Sequence, residues 1–145
     1  MTIDVETLVF PLLRLSDDEA VRLEKRSWLE VMSRKEMLKL MPIKHPWIID
    51  SCGRIVAIQS VTPRRLSFQN LAFPRSLLWI VDVELVSLAS CDVRAFARSI
   101  AERARRFRWR IPTGEGRERY LDAIESVSTV DELFAEVSYF GNADL

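Results

Sequence analysis

The basic residues of this chain are biased in kind and in place. Arginine supplies 17 of the 21 basic side chains. Nine of these (Arg94, Arg98, Arg103, Arg105, Arg106, Arg108, Arg110, Arg117 and Arg119) fall within residues 94–119. Against Glu102, Glu115 and Glu118, that span carries a net charge of +6. Residues 120–145 hold Asp122, Glu125, Asp131, Glu132, Glu136 and Asp144 and no base, a net of −6. The formal zero charge of the chain therefore conceals a dipolar C-terminal half. A guanidinium fork matches phosphate and carboxylate geometry. An indole stacks on bases or anchors a protein interface. Arg94, Arg98, Arg105, Arg106, Trp109 and Arg110 are thus candidate contacts to a protein or to nucleic acid. Asp131, Glu132 and Glu136 form an alternative, acidic interface suited to a basic toxin or nuclease. In the plainer reading the arginines pair with the acidic segment of their own chain, their stems covering apolar surface.

Other chemistry is sparse. Asp82 and Glu84 alternate along an apolar run, which places both carboxylates on one strand face about 7 Å apart. Such a pair can hold a divalent metal or divide acid and base roles. The lysine that a metal nuclease sets two residues beyond is Val86 here, and alternation alone explains an exposed acidic face. His45, the single histidine, precedes Pro46 at a predicted corner. Two cysteines without C-x-x-C spacing and one histidine cannot build a zinc site. Cys91 lies near a predicted helix start, a position that lowers a thiol pKa, but no spacing ties it or Cys52 to His45. Gly114-Glu115-Gly116 reads as a turn rather than a phosphate loop. No cofactor is expected.

The elements that must carry these residues follow from periodicity and caps. Val93, Phe96, Ala97, Ile100, Ala104, Phe107 and Ile111 form one apolar stripe, predicting a helix over 90–111. If that helix persists to its end, Trp109 stands almost opposite the stripe and faces solvent. A helix over 117–127 and a last one opened by the Thr129/Glu132 capping box follow. Residues 77–88 alternate as a strand, with Trp79, Val81, Val83 and Leu85 on one face. Residues 47–61 read as a hairpin about Asp50-Ser51-Cys52-Gly53, closed by Thr62-Pro63. Residues 63–76 fit either a short helix or an irregular strand. At the N-terminal end, Val5, Leu8, Val9, Leu12 and Leu13 suggest a short helix interrupted at Pro11, with a strand as the alternative. Ser16 and Glu19 match a capping box, predicting a helix over 17–33, with a further turn or two up to Pro42.

The expected fold is therefore α+β: a small, mostly antiparallel sheet (hairpin about 47–61 plus strand about 77–88) packed against N-terminal and C-terminal helices. One domain over 1–145 is expected, because 145 residues at 48% hydrophobic can bury a core without staples. Four glycines and six prolines exclude collagen-like and low-complexity chains, and two cysteines exclude a disulfide framework. No secretory or membrane-spanning run is present, so a cytoplasmic protein with reduced thiols is expected. The leading functional expectation is a non-enzymatic protein-binding module, such as an inhibitor, immunity protein or antitoxin that occludes a partner toxin or enzyme. Nucleic-acid binding through 94–110 is the alternative, and a metal enzyme built on Asp82 and Glu84 the third. Oligomeric state and partner identity are not readable.

Overall fold

A computed structural model describes residues 2–67, 77–111, 116–137 and 139–141. Eight strands form one sheet: β1 (Thr2–Ile3), β2 (Leu12–Leu15), β3 (Glu19–Leu23), β4 (Val31–Ser33), β5 (Trp47–Ile49), β6 (Ile55–Leu66), β7 (Leu78–Ser87) and β8 (Tyr139–Gly141). The order is β1-β7-β6-β5-β2-β3-β8, with β4 also paired to β7, and every pairing is antiparallel. The helices are α1 (Ser27–Glu30), α2 (Arg34–Lys39), α3 (Val93–Arg106), α4 (Arg117–Glu125) and α5 (Val130–Glu136). The fold is α+β, as expected. Among the described residues no helix is long and apolar enough to cross a membrane.

Alternation along the strands makes two cores. Leu13, Leu15, Ile49 and Ile55 face α3, α4 and α5, whose Phe96, Ile100, Leu121, Ile124 and Leu133 close that side. The opposite face gathers Leu12, Leu23, Met32, Ile48, Ile58 and Leu85. Six strands contribute to that second cluster. The predicted inner face of β7 holds: Val81 and Leu85 are buried in it, with Trp79 and Val83 packed alongside. The β5–β6 hairpin forms as expected. Its turn is organised by the Asp50 carboxylate, which accepts from the backbone N–H of Val9, Cys52 and Arg54. Gly53 is required there: its φ is +86°, and a Cβ would lie 3.0 Å from a methyl of Val130.

The N-terminal third departs from expectation. The predicted helix over 17–33 is instead β3, α1 and β4. The Ser16 hydroxyl does accept from a backbone N–H, but from that of Asp18, within a tight turn joining β2 to β3. Ser, Asp and Asp serve turns as readily as helix caps. The Leu12–Leu15 segment, placed in a possible short helix, is a strand covered on both faces, a pattern that periodicity alone does not separate from helix. The helical structure described ahead of it is a short 3-10 turn, Val5–Thr7, which follows β1. A true capping box sits at Ser33 and Glu36, opening α2. Strand β6 also runs past Thr62-Pro63 to Leu66, overturning the expected stop. The register shifts between Pro63 and Arg65, and an irregularity of this kind accommodates a residue without an N–H. The rest of the ambiguous segment, residues 68–76, lies outside the described residues, as does the Thr113–Glu115 part of the predicted linker turn. Strand β8 was not expected at all.

Candidate functional site

The arginine-rich segment ends differently from an ideal helix. Helix α3 starts on Asp92, whose carboxylate accepts from the Ala95 N–H. It stops at Arg106. Arg108 then takes a left-handed conformation, φ 53°, and the Trp109 N–H donates to the Ala104 carbonyl at 3.0 Å. This is a Schellman closure with arginine where glycine is usual. It reverses the chain and turns Trp109 inward. The indole is fully buried in the helix-side core, and its N–H donates to the Asp17 carbonyl at 2.9 Å. The expectation that Trp109 meets solvent is therefore overturned. The wheel assumed helical dihedrals at residue 108, and one positive φ cancels that assumption.

Three arginines of the segment are consumed by the fold. Arg105 contacts Glu118 and Asp122 of α4 at 3.0 and 3.1 Å, and also Glu125. Glu125 foremost, with Glu118, raises its pKa further above the usual value. Arg103 lies 4.7 Å from the Trp47 ring centre, donates to the His45 carbonyl at 2.6 Å, and stands 3.6 Å from Asp17. Burial lowers its pKa, and Asp17 opposes that shift. Arg117 donates to the carbonyls of Trp109 and Ala104, completing the helix end. Arg94, Arg98, Arg106, Arg108 and Arg110 are exposed, with no acidic partner within 4 Å among the described residues. Of the acidic alternative, Asp131 and Glu136 are exposed, while Glu132 is held by the Thr129 and Ser128 hydroxyls.

Among the described residues, the carboxylate pair of β7 has no third metal ligand beside it. Asp82 stands 3.7 Å from Arg64, and Glu84 accepts from the Ser60 hydroxyl at 3.1 Å. Asp50 cannot join them. Ile55 follows its turn, whereas Asp82 pairs with Thr62, seven residues or roughly 23 Å farther along β6. No group of three or more His, Cys, Asp or Glu able to hold a metal occurs among the described residues. His45 is an exposed left-handed corner residue, 3.6 Å from Asp17. The Cys91 thiol is shifted opposite to expectation: burial, with help from Asp92, pushes its pKa up. The helix start that was to lower it is already occupied by the Asp92 cap.

A different surface stands out, which no sequence motif marked. Helix α2 forms a ridge. Along one side, Met37, Leu38, Met41, Val61, Pro63 and Trp79 line a groove of about 370 Å³ with Arg34 at its rim. Leu38 and Met41 are 52% and 47% exposed, and Ile43 and Leu66 add apolar surface in the neighbouring segments. Single exposed apolar residues are ordinary, whereas here several lie side by side in one groove. The apolar spacing in α2 is the signal that was available. The groove's floor comes from β6, which runs through the Thr62-Pro63 stop that periodicity predicts, and from β7, so the spacing within α2 does not by itself show the groove. Compared with family models, with curated proteins and with solved structures, the chain matches none.

Proposed function

We propose that this protein is a non-enzymatic protein-binding module whose interface is the groove beside α2 rather than the arginine-rich helix. The observation that carries the reading is the apolar groove formed by α2, β6 and β7. Its occupant is an amphipathic segment of a partner protein, with large apolar side chains on one face and acidic residues at the flanks. Charge favours that chemistry: Arg34 stands exposed at the groove, and Glu36 is turned away into its cap with Ser33. Methionine supports it too, since Met37 and Met41 adapt their shape to an apolar ligand. An inhibitor or immunity-type role, in which the module covers a partner enzyme or toxin, fits this surface because occlusion needs area and no catalytic group.

Selection of random peptides on the immobilised chain tests the reading. The expected winners carry apolar residues at i, i+3 or i+4 with flanking Asp or Glu. Leu38→Asp should weaken their binding at least tenfold, about 1.4 kcal/mol, while Arg98→Asp should not change it. Winners that bind Leu38→Asp unchanged would sink the reading. So would sedimentation showing that the groove merely pairs two copies of this chain. Nucleic acid is the second reading, favoured by the exposed, unmatched Arg94, Arg98, Arg106, Arg108 and Arg110. It predicts affinity falling steeply with salt and loss on Arg106→Ala.

A further inference from the structure

On the other side of α2 lies a second cavity of about 480 Å³, open between β2–β3 and the α1–β4–α2 segment. Strands β3 and β4 stand far apart along the sheet path, yet both feed the second core. The cavity lies between them. Arg14 lines it from β2 and is 3% exposed. Its Nη2 reaches Glu19 at 3.4 Å and Glu36 at 4.0 Å, and Lys39 meets the other Glu19 oxygen at 3.3 Å. The Arg14 Nη1 is buried with no hydrogen-bond acceptor among the described residues. Trp28, 47% exposed, and Val31 give the cavity an apolar wall.

We infer that this cavity is a recognition site for a peptide segment that places a carbonyl oxygen on the Arg14 guanidinium and an apolar side chain against Trp28. The orphaned donor is the first reason. A buried guanidinium is retained at a cost in desolvation, and an unpaired N–H in such a place calls for an acceptor. The contacts that hold it are long beside the 2.7–2.9 Å of strong charge-assisted bonds, so they leave much of the guanidinium's hydrogen-bonding capacity unspent. Charge selects the acceptor. Arg14 and Lys39 are balanced by Glu19 and Glu36. Arg22 also lines the cavity; its Nε is a second buried donor without a hydrogen bond of good geometry, but its guanidinium lies over the Phe134 ring with its charge against Glu24. A phosphate or carboxylate would add unmatched negative charge next to two glutamates, whereas a neutral amide carbonyl leaves the balance intact. The exposed indole selects the apolar neighbour. The site lies across α2 from the apolar groove, and neither depends on the other.

The test is titration of the full chain, ¹⁵N-labelled, with acetyl-Ala-Leu-Ala-amide, N-acetyl-leucinamide, N-acetyl-leucine and inorganic phosphate. The expected result is a saturable shift of the Trp28 indole and Arg14 Nε–H signals by the peptide amide, at about millimolar affinity for a ligand of this size. N-acetyl-leucinamide should bind more weakly, and N-acetyl-leucine at least tenfold more weakly than its amide. Arg14→Met and the exposed Trp28→Ala should each remove the shift, with folding verified by thermal melting. Should Arg14→Met not fold, Arg14→Lys, which keeps charge and loses the fork, serves instead. No saturable shift, tighter binding of N-acetyl-leucine or phosphate, or equal binding of the peptide and the lone amide would each overturn the proposal. So would shifts that survive in Trp28→Ala.

Discussion

Two arginines define two ways in which this molecule treats positive charge. Arg105 lies in the most basic stretch of the sequence, and the fold surrounds it with Glu118, Asp122 and Glu125 from the facing helix. Arg14 is a single basic residue inside the apolar run Leu12–Leu15, and the fold leaves part of it unmatched. Charge density along the chain therefore points away from the more reactive guanidinium. An exposed arginine beside acidic helices finds partners at small cost, because water and mobile carboxylates both serve it. An arginine drawn into a core by its neighbours has only what the fold places within reach. The lesson is that an isolated charge in an apolar strand carries more information than a cluster on an amphipathic helix.

The comparison is open to direct attack. Trp109→Ala removes the plug beneath the saturated end of α3 and its bond to Asp17. It should destabilise the chain by about 3–5 kcal/mol in denaturant unfolding. A loss below 1 kcal/mol would mean that the indole is not sealed in the core. Arg14→Ala leaves Glu19 to Lys39 alone and opens a void, and should cost roughly 2–3 kcal/mol, less than a lone buried pair loses. Arg14→Met fills the space with apolar volume and should restore most of that loss while abolishing ligand binding. Arg105→Ala should cost only about 0.5–1 kcal/mol, and the difference should shrink in high salt because the cluster is partly exposed. Equal costs for Arg105→Ala and Arg14→Ala would erase the contrast. Arg108→Gly relieves a left-handed arginine and should stabilise by about 0.5–1 kcal/mol, read as a higher unfolding midpoint. Least of all, Cys91, whose raised pKa reduces its thiolate at pH 8, should alkylate more slowly than the exposed Cys52.

Where chemistry was legible in the sequence, it was legible locally. The Asp50 turn, the Thr129 cap and the alternating face of β7 each depend on residues within a few positions of one another. The α3 stripe likewise includes the buried Phe96, Ala97, Ile100 and Ala104, but it misses Ala101 and Arg103, which are also buried. Trp109 fails because it lies two residues beyond the helix end, where a single dihedral decides its direction. Ser16 fails because its hydroxyl serves a turn or a cap equally well, and the choice was made by β2 needing a neighbour on each side. The groove beside α2 was invisible for a related reason: its floor comes from β6 and β7, twenty residues and more away in the chain.

Composition and periodicity by themselves determined the α+β class, the hairpin, the long strand and the three C-terminal helices, because each rests on side-chain spacing along one element. Tertiary structure alone decided which charges are matched, which indole is sealed and where the cavity lies. Those outcomes depend on distances between segments remote in sequence, and a charge or an aromatic ring carries no record of its eventual neighbour.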